Sequence, residues 1–159
     1  MKIRIGNGFD FHRLEKSPKP LILCGLEINS EFSIIAHSDG DIIIHTVVDA
    51  ILGSINAGDI GTLFPDSDPK WKNTSSTIFL KEALKIMEAK KLKISNIDIT
   101  VICEFPKIKP LRNVLIKNLA KIMEIEEDLV SIKATTTEKM GFLGRGEGIG
   151  CFATILLTN

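Results

Sequence analysis

The sequence predicts one α/β domain of the mixed, α+β kind: a β-sheet covered by helices on one face. Three observations predict it. Apolar residues alternate at period two in several stretches, and in three others they recur at helical spacing. A chain of 159 residues also suits one compact domain that buries its core without disulfide or metal staples. Strands and amphipathic helices mixed in this way build layered sheets. Three helices are too few to cover both faces, so the bare face calls for association with further copies.

Residues 2–6 alternate Lys, Ile, Arg, Ile and Gly, a half-buried strand that delivers the chain to Asp10 and His12 at its end. Residues 21–28 are apolar around Cys24-Gly25 and read as a hairpin or bent strand. From Asp41 the period changes. Ile44, Val47, Val48, Ile51, Leu52 and Ile55 follow helical spacing, with Asp41, His45 and Asp49 on another face and Asp41 at the start.

Residues 56–74 hold Gly58, Gly61, Pro65 and Pro69, too many breakers for a regular element, and read as a long loop able to act as a lid or binding segment. Ser75 or Ser76 caps a second helix that looks purely structural, with Phe79, Ala83, Ile86 and Met87 inward. Ile97, Ile99, Val101 and Cys103 form a strand ending at Glu104-Phe105-Pro106. Pro110 opens a third helix with Val114, Leu115, Leu119, Ile122 and Met123 inward. Val130, Ile132 and Ala134 make another strand, and after a glycine-rich stretch residues 151–157 make the last.

Formal charge is zero, with both signs interspersed, so nothing resembles the basic stripe that neutralises nucleic-acid phosphates. No apolar run reaches bilayer length and no signal peptide opens the chain, so a membrane is not an expected partner. Cys24, Cys103 and Cys151 are odd in number, lack a Cys-x-x-Cys pair and sit in apolar stretches. They read as reduced, buried thiols, which fits a cytoplasmic protein.

All three histidines fall between positions 12 and 45, each beside an aspartate: Asp10/His12, His37/Asp39 and Asp41/His45. On a strand Asp10 and His12 leave the same face. Asp41 and His45 stack on one helical face. Any single pair is more often an ordinary solvated acid beside a surface histidine, but three in one window favour a cation site. Asp10, His12 and His45, two imidazoles and a carboxylate, suit a catalytic zinc with a position left open. The same set suits non-haem iron, so the ligands leave the metal open. Thr135, Thr136, Thr137, Glu138 and Lys139 end a strand with hydroxyls for phosphate and a hard oxygen ligand for magnesium, although threonine is common in strands for its own sake. In 144–148 alternate glycines permit close backbone approach and Arg145 can grip an anion, with a plain hairpin turn an equal reading. There is no Walker loop, dinucleotide fingerprint or nucleophile elbow.

Read together, Gly8-Phe9-Asp10-Phe11-His12, Ala36-His37-Ser38-Asp39-Gly40-Asp41 with His45, Gly58-Asp59-Ile60-Gly61 through Phe64-Pro65-Asp66-Ser67-Asp68-Pro69, and Lys133 to Lys139 with Gly141-Phe142 to Gly148 carry a resemblance over essentially the whole chain. The chain resembles the 2-C-methyl-D-erythritol 2,4-cyclodiphosphate synthases of the non-mevalonate isoprenoid pathway.

That resemblance implies a single domain over residues 1–159, ferredoxin-like, with the sheets of a homotrimer facing the threefold axis and active sites between subunits. It implies a phosphorus–oxygen lyase that converts 4-diphosphocytidyl-2-C-methyl-D-erythritol 2-phosphate into the cyclodiphosphate and CMP. Asp10, His12 and His45 would hold Zn2+, and Glu138 with substrate oxygens would hold Mg2+ or Mn2+. His37, Ser38 and Thr136 would position the transferring phosphate, between Thr135 and Thr137. Asp59, Ile60 and Gly61, with Phe64, Pro65, Asp66, Ser67 and Asp68, would contact the sugars, and Cys103, Pro106 and Lys107 the cytidine. Phe142, Arg145 and Glu147 would lie near the axis, Arg145 able to take an isoprenoid diphosphate. The chain departs from the family in carrying Asn7 where histidine is frequent, and in Glu104 and Phe105. The resemblance covers none of the cytidylyltransferase domain of fused relatives, so that activity is expected from another protein. The rival readings are a non-haem iron oxygenase and a non-catalytic isoprenoid diphosphate-binding protein.

Overall fold

The computed structural model describes residues 1–159 and is organised around one long strand, β1 (Ile3–Lys16). It is followed by the hairpin β2 (Leu21–Leu23) and β3 (Leu26–Ile28), then β4 (Phe32–Ile35), helix α1 (Ile42–Ser54), the one-turn helix α2 (Ile60–Leu63) and helix α3 (Ser76–Ala89). Strand β5 (Lys93–Ile102), helix α4 (Arg112–Met123), β6 (Val130–Thr135), the short α5 (Gly141–Gly144) and β7 (Gly148–Thr158) complete the chain. Five strands form a mixed sheet in the order β4-β1-β7-β5-β6, in which β5 and β6 run parallel and every other pair antiparallel. The expected ferredoxin-like topology differs on this point: there a strand separates crossover partners, whereas β5 and β6, joined through α4, are direct neighbours.

Helices α1, α3 and α4 cover one face. Ile44, Val47 and Ile51 of α1 meet Phe79, Leu80 and Ala83 of α3, Leu115 and Leu119 of α4, and the inward Ile97, Ile99, Ala153 and Ile155 of the sheet in one continuous core. Each such aliphatic side chain contributes about 1.5–3 kcal/mol by leaving water, which overrides the low helix propensity of the β-branched residues in α1. Asp41 starts α1 as its N-cap, accepting from Ile44 N at 3.1 Å.

The seat of α1 on β1 is set by two glycines. A Cβ on Gly6 would stand 2.0 Å from the Ala50 carbonyl oxygen, and one on Gly8 2.1 Å from that of Thr46. Only Gly lets the helix backbone lie this close.

The structure corrects several expectations. β1 runs on for ten residues beyond position 6, so Asp10 and His12 lie within a strand and not at its end. β4 is a short strand not among those expected, and it pairs Arg13 to Lys16 with Ile35 to Phe32. The 56–74 segment is partly regular: Asp59 caps α2, and Asp68 caps a 3-10 turn, Pro69–Trp71. Val114, expected inward on α4, is 47 % exposed, because the inner stripe runs through Leu115, Leu119 and Met123. β7 begins three residues early, at Gly148. The three cysteines are buried and unpaired, and burial pushes the thiols of Cys103 and Cys151 up to about 11 and about 12. No helix is long and apolar enough to cross a membrane.

Candidate metal centre and its cleft

Asp10 and His12 leave β1 on the face that α1 covers, and the close seat of α1 brings His45 down onto them. His12 Nε2 lies 3.1 Å from His45 Nδ1 and 3.2 Å from Asp10 Oδ2, and His45 Nδ1 lies 3.3 Å from the same oxygen. The two rings stand at 90°. Donor atoms about 2.0–2.1 Å from a tetrahedral zinc stand about 3.3–3.4 Å apart, so this triangle needs almost no adjustment to receive a cation on its open side. The site therefore fits a metal on its donor set and spacing alone, and no other group of three His, Cys, Asp or Glu side chains converges in this way.

Protonation agrees. Burial pushes the His12 imidazole below its ordinary value, against the pull of Asp10, and leaves it neutral as a ligand must be. Burial alone would raise the Asp10 carboxyl. The His45 ring against the carboxylate, the charges of both imidazoles and the Phe11 N–H, 2.8 Å away, outweigh it and hold Asp10 below the usual carboxylate range. Asp41, the other candidate from helical spacing, is not a ligand. Its carboxylate is sealed from solvent and accepts from Gly25 N at 2.6 Å as well as from Ile44 N. Burial, only partly offset by those N–H groups, raises it to about 6.

The triad opens into a cleft of about 290 Å³ whose wall also includes His37, Ser38, Ile60, Gly61, Phe64 and Asp66. Nine of the residues expected at the site thus meet in one place. Three lining residues were missed: Ala36, Trp71 and Phe79. Phe64 packs on Phe79 at 4.6 Å and on Trp71 at 5.1 Å, so the 56–74 segment is folded over an aromatic floor. Phe79 had read as a core position, and nothing in its spacing distinguishes a core residue from a cleft floor. Asp59 and Asp68 spend their carboxylates as caps, on Thr62 N at 2.7 Å and Lys70 N at 3.0 Å, and do not line the cleft; nor do Pro65 and Ser67. Asp49 holds α2 in place, accepting from Ile60 N at 2.8 Å.

Helix α3, expected to be purely structural, reaches the metal centre. The Ser76 hydroxyl lies 2.8 Å from His45 Nε2 and donates to Asp39 Oδ1, and Ser76 N donates to Asp39 Oδ2 at 2.9 Å. The only sequence trace was the Ser75-Ser76 pair, read as two choices of cap.

The remaining candidates form a second cluster at the same end of the sheet. Cys103 N donates to the Thr135 carbonyl at 3.2 Å, joining the 103–107 segment to Thr135, Thr136, Thr137 and Glu138. Glu138 and Lys139 adopt left-handed backbone, φ 52 and 63, and Glu138 N donates to Thr136 Oγ1 at 3.2 Å. Pro106 accepts from the Cys103 thiol, and the Lys107 ammonium lies 5.4 Å from the Phe105 ring. β6, which carries Thr135, stands three strand spacings, about 14 Å, from β1, and no residue of this cluster lines the metal cleft, although Phe105 reaches back to stack on Phe32 of β4 at 6.0 Å. Phe142 stands edge-on to Phe11 at 6.2 Å on the outer face of the sheet, where Arg145 pairs with Glu147 at 2.5 Å.

Fold and site together define a mixed α/β protein whose Asp-His-His group could hold a metal ion and opens onto a cleft of mixed polar and aromatic lining. The YgbB family model matches residues 3–158, and the chain belongs to that family. It is 55 % identical over 155 residues, 97 % of this chain and 96 % of the relative, to the 2-C-methyl-D-erythritol 2,4-cyclodiphosphate synthase of Leptospira borgpetersenii serovar Hardjo-bovis. Among solved structures it resembles the bifunctional IspDF of Campylobacter jejuni, with a TM-score of 0.93 and 41 % identity over 98 % of this chain and 42 % of that one. It also resembles a CDP complex of Plasmodium falciparum IspF, with a TM-score of 0.87 and 43 % identity over 98 % of this chain and 95 % of that one.

Proposed function

We infer that this chain is the lyase that converts 4-diphosphocytidyl-2-C-methyl-D-erythritol 2-phosphate into 2-C-methyl-D-erythritol 2,4-cyclodiphosphate and CMP, acting in the cytoplasm as one domain over residues 1–159. The observation that carries the reading is the Asp10, His12 and His45 triangle opening onto His37 and Ser38 in a chain of this family. An iron oxygenase shares the ligand set, but neither the family nor the mixed α/β architecture favours it.

In this reading Asp10, His12 and His45 hold Zn2+, and Glu138 with substrate oxygens holds Mg2+ or Mn2+. When bound, the two cations polarise the diphosphate and offset the charge that builds on its oxygens. A 2-phosphate oxygen bonds to the β-phosphorus, the bond from that phosphorus to the bridging oxygen breaks, and CMP leaves with the α-phosphate. The substrate supplies its own nucleophile, which agrees with a cleft that offers no activated serine or cysteine. The protein's task is placement. His37 and Ser38 orient the attacking phosphate, and Thr135, Thr136 and Thr137 hold the phosphate chain. Ile60, Gly61, Phe64 and Asp66 contact the erythritol, in a segment shaped by Asp59, Pro65, Ser67 and Asp68. Cys103, Pro106 and Lys107 hold the cytidine.

The two clusters belong to one site if a neighbouring copy closes the gap between them. A homotrimer with its sheets toward the axis does this and covers the outer apolar face, where Phe142 and Arg145 would line an axial cavity able to take an isoprenoid diphosphate. His45→Ala is the test. The variant keeps its fold by circular dichroism, binds no zinc by elemental analysis and releases no CMP from the diphosphocytidyl substrate. CMP release at the wild-type rate overturns the assignment.

A further inference from the structure

His45 uses both ring nitrogens. Nδ1 faces Asp10 and His12, while Nε2 points away from the cleft into the junction of α1 and α3. There it meets two hydroxyls, Ser76 Oγ at 2.8 Å and Ser38 Oγ at 3.2 Å. Ser76 is fully buried, and both of its polar groups engage one carboxylate: the hydroxyl on Asp39 Oδ1 and the backbone N–H on Oδ2. Asp39 also accepts from Asp41 N at 3.1 Å, and its own N–H donates to the Thr74 carbonyl at 3.2 Å. The loop bearing His37 and Ser38 is thereby tied to the start of α3.

The direction of each bond follows from what each group can offer. A carboxylate has only lone pairs, so the Ser76 proton points at Asp39. Ser76 Oγ then presents a lone pair to His45, and Nε2 must carry the imidazole proton. Nδ1 is left with its lone pair directed at Asp10 and His12. We propose that Asp39 and Ser76 are positioning residues that lock His45 in the Nε2–H tautomer and so aim Nδ1 at a cation held with Asp10 and His12. Carboxylate partners of metal-bound histidines fix ring and tautomer in the same way, here through an intervening hydroxyl. The lock also assigns Ser38. Its oxygen already accepts from Gly40 N at 3.2 Å, and with Nε2 a donor its proton has no acceptor on His45. The Ser38 hydroxyl stays free to donate to an anion in the cleft.

The proposal rests on the metal-centre reading, and two measurements keep them apart. One is zinc affinity by competition with a chromophoric chelator; the other is the His45 tautomer in the metal-free protein, from long-range proton–nitrogen NMR. Ser76→Ala is expected to weaken zinc about 10–100-fold and to leave His45 a mixture of tautomers. Asp39→Asn removes the carboxylate but keeps the hydroxyl and is expected to move both readings the same way. Ser75→Ala is the control: its hydroxyl caps α3 at Thr77 N without touching His45, so helix stability falls while both readings stay at wild type. If wild-type protein binds no zinc, the metal-centre reading fails and the tautomer still decides the role of Ser76. Ser76→Ala with zinc affinity within about twofold of wild type and an unchanged tautomer overturns the proposal. If that variant does not fold, the same result for Asp39→Asn overturns it.

Discussion

The two faces of β1 divide the work of the molecule residue by residue. Gly6, Gly8, Asp10, His12 and Leu14 face the helices, whereas Ile3, Ile5, Phe9 and Phe11 face outward, Ile5 66 % and Phe9 59 % exposed. A strand alternates its side chains, so one run of residues can serve two surfaces without compromise. On the inner face small residues admit α1 and polar ones meet His45. The outer face holds an apolar patch continued by Phe152, 4.5 Å from Phe9, and by Phe142 on Phe11. A patch of this kind on a protein surface marks an interaction site. The contrast teaches that the chemistry depends on a close approach within the chain, and the proposed assembly on an uncovered surface outside it.

The inner face breaks most easily at Gly8. In Gly8→Ala the new methyl meets a helix carbonyl at 2.1 Å, so α1 must lift and carry His45 with it. A loss of about 3 kcal/mol by urea denaturation is expected, with weakened zinc binding. Wild-type stability and affinity together would refute the close-seat argument. Phe9→Glu acts on the other face alone. It is expected to lower the mass seen by light scattering from that of the proposed trimer to that of a monomer and to reduce CMP release, with zinc still bound at one equivalent per chain. An unchanged mass would show that the outer face is not the assembly surface.

What the sequence made legible follows the same division. Asp10, His12 and His45 could be grouped because a period of two and a helical period each put chemistry on one known face. The extent of β1 could not: Gly6 and Gly8 look like strand breakers, and their use, admitting a helix backbone, exists only once α1 has packed. Ser76 and His45 are 31 positions apart, and no local pattern joins a helix start to a ligand on another helix. The fold of the 56–74 segment was hidden for a related reason. Its order comes from Phe64 and Trp71 settling on Phe79, a tertiary contact, whereas its glycines and prolines are local and visible.

The helix side holds two carboxyls of opposite behaviour, and their pH dependence sharpens the comparison further. Asp10, facing the cleft beside two imidazoles, is held below the usual range, so its contribution is present at neutral pH and lost as pH falls. Asp41, sealed under α1, is raised from 3.8 to about 6 by burial. Between those values the folded state keeps a proton that the unfolded chain has released. Stability from this group therefore falls as pH rises through the window and is fully lost above it. Asp41→Asn has no such titration. The metal-free variant starts less stable, since an amide cannot accept both Gly25 N and Ile44 N, but its stability should change less between pH 4 and pH 7. The wild type is expected to lose on the order of 2 kcal/mol relative to the variant across that range, by urea denaturation at each pH. Parallel pH profiles would mean that the N–H groups of Gly25 and Ile44 compensate the buried charge in full, and that Asp41 stays ionised under α1.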